Sequence, residues 1–83
     1  MSDTREALNL DDLQGILNAT IDDKLHERGL PVAWGYVTLM PRMIVPEGEC
    51  NWTYDWEETD TEADEVARAV IEGFKDRYDI IRE

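Results

Sequence analysis

The most regular pattern in the chain lies near its start. Leu10, Leu13, Leu17, Ile21 and Leu25, with Ile16 beside them, recur at helical spacing and make one apolar stripe. Asn9 is a suitable N-cap, and Asp11 and Asp12 fall in the first turn, where the helix dipole favours negative charge. Leu8 and Leu13 hold the two positions of a hydrophobic staple. Gly29 suits a left-handed stop, Leu30 falls where it can pack back on Leu25, and Pro31 blocks continuation. The pattern predicts a helix over 10–28, preceded by a polar, frayed lead-in at 1–8.

A period of two follows. Residues 32–40 are rich in β-branched and aromatic side chains and predict a strand. Val32, Trp34, Tyr36 and Met40 share one face; Ala33, Gly35, Val37 and Leu39 share the other. Pro41 marks an edge, a bulge or a break, Met43-Ile44-Val45 resumes the strand character, and Pro46-Glu47-Gly48 supplies turn chemistry. Beyond it Cys50, Trp52, Tyr54 and Trp56 alternate with Asn51, Thr53, Asp55 and Glu57, the mark of a half-buried antiparallel strand. Folding the hairpin about residue 47 sets Ile44 opposite Cys50, Met40 opposite Tyr54 and Thr38 opposite Trp56. Both even-numbered faces then coincide, and a bulge near Pro41 would shift the register by one.

Helical spacing returns in Ala63, Val66, Ala67, Val70 and Phe74, with Tyr78 in line, and Thr59 with Glu62 fits a capping box. A helix over 61–77 is predicted. Gly73 inside it costs about 1 kcal/mol relative to Ala, which points to close packing there. Ile80 and Ile81 either extend the helix or form a short closing strand. The order helix, hairpin of two or three strands, helix predicts an α+β domain in two layers, with both helices on the aromatic face of the sheet.

Composition agrees with a folded chain. Eighty-three residues give room for one domain, 1–83, and 42% hydrophobic residues with three Trp and three Tyr separate it from disordered acidic chains. Cys50 is the only cysteine, so no internal disulfide is possible. The first residues lack the basic and apolar regions of a signal peptide, and no apolar run approaches the ~18 residues of a membrane helix. A cytoplasmic protein is expected, in which the sequons at Asn18 and Asn51 carry no meaning.

Candidate chemistry is sparse. His26, the single histidine, stands near a helix C-terminus, where a surface histidine is ordinary, and it lies outside the leucine stripe. Cys50 falls on an aromatic strand face in acidic surroundings, the setting of a small hydrophobe and not of a nucleophile. The acidic run from Asp55 does not match a calcium loop, because neither Asp55 nor Asp60 as first position puts Gly sixth and Glu twelfth. One Cys and one His cannot make a zinc site, and no glycine-rich phosphate loop is present. No enzyme, cofactor or metal is expected.

What changes the picture is charge. Twenty acidic against eight basic residues give a net charge of −12. Nine of the acids (Glu47, Glu49, Asp55, Glu57, Glu58, Asp60, Glu62, Asp64 and Glu65) lie within residues 47–65, which hold no Lys or Arg. Such a field repels nucleic acid and anionic membrane, so neither is an expected partner. Part of the cluster has a bland cause, since acids suit a first helical turn and block edge-to-edge pairing of a strand.

The functional reading is that the nine carboxylates meet a basic protein surface, that of a nucleic-acid-binding protein. There they would imitate a phosphate row, making the chain an inhibitor or adaptor. Small acidic proteins of this type are common products of phage early genes. A second reading is a structural protein or homodimer joined through an aromatic hairpin surface, with an exposed Trp as anchor. A third is an antitoxin-like role. The order strand, strand and a helix opening Thr59-Asp60-Thr61-Glu62-Ala63 is loosely similar to small antitoxin domains that neutralise basic ribonucleases, over less than half the chain and without a diagnostic motif.

Overall fold

The computed structural model describes residues 5–30, 36–57 and 62–81. Among these the order is β1 (Glu6–Leu8), α1 (Leu10–Glu27), β2 (Thr38–Pro41), β3 (Trp52–Asp55), α2 (Glu62–Arg77) and β4 (Tyr78–Ile80). β2 and β3 pair antiparallel, and β1 and β4 pair parallel, giving an α+β chain with two separate strand pairs.

α1 follows its sequence signals closely. The Asn9 side chain accepts from the Asp11 N–H at 2.9 Å. At the other end Gly29 has φ 69°, its N–H donates to the His26 carbonyl, and the Leu30 N–H reaches back to the Leu25 carbonyl at 2.9 Å. That is the six-to-one and five-to-two pairing of a Schellman stop, and it satisfies carbonyls the helix would otherwise leave open. The centre of the stripe is buried, with Leu13, Leu17, Ile21 and Leu25 all at 0% exposure, while Leu10 is half-buried and Ile16 is exposed.

The start of the chain differs from the frayed lead-in that was expected. Glu6–Leu8 is a strand, and it aligns Leu8 with Ile80. The Ile81 N–H continues the pairing to the Leu8 carbonyl. Arg5 anchors this strand by donating from Nε to the Lys75 carbonyl and from Nη2 to the Gly48 carbonyl, each at 2.9 Å. Ile80 therefore belongs to a closing strand, and its parallel partner is the segment before α1, 72 residues away.

The hairpin register is one residue off the expected one. Thr38 faces Asp55, Leu39 faces Tyr54, Met40 faces Thr53 and Pro41 faces Trp52. Because side chains alternate, one step exchanges the faces of β2. Val37 and Leu39 go inward at 0% and 3% exposure, while Tyr36 and Met40 stand out at 60% and 39%. The expected strand at Met43-Ile44-Val45 does not form, and Met43 and Ile44 are almost fully exposed. The physical reason lies across the loop. Asn51 accepts from the Arg42 N–H but turns its side chain and backbone N–H to β4, and the ladder ends there. The 46–49 turn forms as read, with Gly48 at φ 85° and the Glu49 N–H donating to the Pro46 carbonyl. Residues 31–35, including Trp34 and the first four residues of the expected strand, lie outside the described residues, as do Thr59 and the expected start of α2.

Two asparagines hold these parts together. Asn18, at 6% exposure, accepts from the Val37 N–H and donates to the Val37 carbonyl, both at 2.9 Å, and gives its second proton to the Gln14 carbonyl. Asn51 does the same to Ile80, accepting from its N–H at 2.8 Å and donating to its carbonyl at 2.9 Å. Each side-chain amide imitates one residue of a neighbouring strand. Gln14 adds a bond from the Leu39 N–H at 2.8 Å, so α1 covers the edge of β2 that β3 leaves open. Trp52 completes the clamp, donating from its indole N–H to the Tyr78 carbonyl at 3.0 Å.

One cluster collects the buried side chains of all these elements, with Leu39, Cys50 and Trp52 against the α1 stripe and Ala63, Val66, Ala67, Ile71 and Phe74. Gly73 is not a close-packing position, since a Cβ built on it meets nothing within 4 Å. Asn18→Ala should cost about 2–4 kcal/mol in urea unfolding, because it leaves both polar groups of Val37 buried and unpaired. Thr20→Ala, which removes an exposed hydroxyl bonded to the Ile16 carbonyl, should change stability by less than about 0.5 kcal/mol. Equal effects of the two would contradict the role given to Asn18.

Candidate acidic interface

Inward packing of β3 and α2 determines which acids reach water. On β3 the buried Trp52 and half-buried Tyr54 take the inner face, which leaves Thr53 and Asp55 outside; Glu57 follows, also exposed. On α2 the inward positions are Ala63, Asp64, Val66 and Ala67, and between them Glu62 and Glu65 point out. These two stand three apart on the helix, about 5–6 Å between their Cβ atoms. Arg68 lies over the Trp56 ring at 5.7 Å, which brings the end of the hairpin beside the first half of α2. Asp55, Glu57, Glu62 and Glu65 thus belong to one region.

The other predicted site residues do not all join it. Asp64 is buried at 7% exposure and has interactions of its own, so it is part of the packed structure and not of the outer surface. Glu47 and Glu49 are exposed but belong to the 46–49 turn, which Arg5 ties to Lys75 through the Gly48 carbonyl. Lys75 is 10 residues beyond Glu65, or about 15 Å along the helix. Glu49 is also paired, with Arg42 Nη1 at 2.9 Å. Among the described acids, Asp55, Glu57, Glu62 and Glu65 are thus separated from Glu47 and Glu49 of the turn, with Asp64 buried in neither group. Glu58 and Asp60 lie outside the described residues.

The other described ion pair, Lys75 with Glu72, involves none of Asp55, Glu57, Glu62 and Glu65. From 43 to 67 the sequence has no Lys or Arg, and the flanking cations are occupied, Arg42 by Glu49 and Arg68 by Trp56. Among the described residues no ion pair engages these four acids, and Arg68, three residues beyond Glu65, is the nearest cation in sequence.

The residues weighed for other chemistry have plain places. Cys50 is 2% exposed, with its thiol donating to the Trp52 carbonyl, and His26 is exposed on the last turn of α1. No group of three or more metal-ligating side chains occurs among the described residues, and no helix there is long and apolar enough to cross a membrane. Trp52 is buried at 1% exposure. Trp56 is half-buried, stacked on Tyr54 at 5.5 Å, and its indole N–H is the one buried side-chain polar atom without a partner among the described residues. Among the described residues the exposed apolar surface of the hairpin includes Tyr36, Met43 and Ile44, and Trp52 is not part of it.

Compared with protein-family models, with curated proteins and with solved structures, the chain finds no match.

Asp64 and Glu57 should respond differently to truncation. Asp64→Ala is expected to destabilise the protein by more than about 1 kcal/mol, because it removes a buried polar group with partners. Glu57→Ala should stay within about 0.5 kcal/mol. Thermal unfolding of both variants checks the distinction.

Proposed function

We propose that the chain is a small cytoplasmic binding protein, an inhibitor or adaptor, whose carboxylates at Asp55, Glu57, Glu62 and Glu65 engage a basic surface of a nucleic-acid-binding protein. The observation that supports this reading is the exposure of these four acids without a cationic partner among the described residues, in a stretch free of Lys and Arg. In the two-layer arrangement expected from the sequence, both helices pack on the inner face of the hairpin. The opposite face, with Asp55, is then left for the partner. Acidic side chains along an extended strand stand about 6.7 Å apart, close enough to follow the phosphates of a nucleic acid across a basic groove. An antitoxin role is one case of the same contact, with a basic ribonuclease as partner.

Charge-driven contacts weaken as salt screens them. Immobilised protein should capture a basic nucleic-acid-binding protein from nuclease-treated host lysate at about 50 mM salt and release it by about 500 mM. The variant carrying Asp55→Lys, Glu57→Lys, Glu62→Lys and Glu65→Lys should fold and capture nothing. Capture that is insensitive to salt, or that survives the four reversals, would contradict the proposal.

A second reading has its own support. Met43 and Ile44 are 94% and 82% exposed at the hairpin tip, an apolar pair suited to self-association. Sedimentation at rising concentration should then detect a dimer that Ile44→Asp dissolves; a strict monomer would exclude it.

A further inference from the structure

A groove of about 380 Å³ runs between α1 and α2. Val66, Val70 and Phe74 supply apolar surface, and Lys24, Arg28 and Arg77 supply positive charge; among the described residues no carboxylate lines it. In a chain with twenty acids and eight bases, three cations gathered without one acid run against the overall balance. Neither of the described ion pairs engages any of the three.

Cations near helix C-termini have an ordinary cause, since each end carries about half a negative charge. Lys24 and Arg77 are in last turns and Arg28 is the C-cap of α1. Three full charges exceed what two helix ends of about half a charge each would balance, so a positive excess remains at the groove. The size is also suggestive. Ligand pockets start at about 300 Å³ and are mostly apolar with a few placed polar groups. At roughly 30 Å³ per non-hydrogen atom, the share of a water molecule in the liquid, 380 Å³ holds about a dozen.

Gly73 explains why the space is open. It lines the groove on α2, and a Cβ at this position would meet nothing within 4 Å. A larger residue here would fill the groove and improve the helix, so glycine keeps the space at the expense of helix propensity.

We propose that this groove binds a small amphiphilic anion, a single-chain carboxylate of about ten carbons, with its tail on Val66, Val70 and Phe74 and its head group among Lys24, Arg28 and Arg77. The site is independent of the acidic interface, because none of Asp55, Glu57, Glu62 and Glu65 lines it.

Titration of isotopically labelled protein with decanoate, followed by amide NMR, tests the proposal. Shifts should saturate at one equivalent and centre on Lys24, Val70, Gly73 and Phe74. Decanol, with the same chain and no charge, should bind at least tenfold more weakly. The double variant Lys24→Glu, Arg77→Glu should lose at least tenfold in decanoate affinity. Gly73→Leu should abolish binding while its circular dichroism matches that of the parent. Absence of saturable shifts at the groove, equal binding of decanol, or full binding by Gly73→Leu would each overturn the proposal. So would a concentration-dependent dimer that Gly73→Leu dissolves, which would give the groove to a second copy of the chain.

Discussion

The fold depends on side-chain amides that stand in for strands. Neither strand pair is wide enough to satisfy its own edges, and short isolated pairs are marginal in water. Asn18 closes the free edge of β2 at Val37, and Asn51 closes β4 at Ile80, each through two hydrogen bonds to one residue. Helix, hairpin and parallel pair are joined in this way by polar contacts of fixed geometry, and the leucine stripe of α1 and the apolar face of α2 share one buried cluster with Leu39, Cys50 and Trp52. A bare apolar contact would tolerate sliding. A bracket that matches donor to carbonyl and acceptor to N–H does not, and this selects the hairpin register actually adopted.

That register decides what the protein shows to water. With Val37 and Leu39 turned in, Thr53 and Asp55 are the outward residues of β3, and the half-buried Trp56 lies under Arg68 at the start of α2. Acid accumulates outside that junction, while cations gather at the interhelical groove. The surface is therefore polarised, despite a composition that suggests uniform negative charge. As proposed, one region would meet a basic macromolecule and the other a small anion, and they share none of the residues that carry either proposal.

Much of this was legible in the sequence, and what was not has a physical explanation. α1 was readable to within a residue because its cap, stripe and Schellman stop all lie within the helix or beside it. α2 was readable from spacing, although Ile71 enters the core where the stripe did not place it. β1 was missed because Glu6–Leu8 has little strand character of its own and gains its partner from the far end of the chain. The faces of β2 were exchanged by one residue because the register is imposed by Asn18 and Asn51, which carried no structural signal in the apolar pattern beyond the polar strand face of Asn51. The signal was there in part, since Gln14 and Asn18 stand one helical turn apart on the flank of an apolar stripe. Of the acidic site, the sequence located the density of charge but not its division. Asp64 turned inward with the apolar side of α2, and the 46–49 turn was carried away to the other end of that helix by Arg5.

Residue-by-residue hydrogen exchange tests the central role of the amide brackets most directly. The N–H groups of Val37, Leu39 and Ile80 are held by the side chains of Asn18, Gln14 and Asn51. They should exchange as slowly as the helix amides of Leu17 and Ile71, which open only when the whole fold does. Exchange of these three at the rate of the exposed loop amides of Met43 and Ile44 would contradict the account.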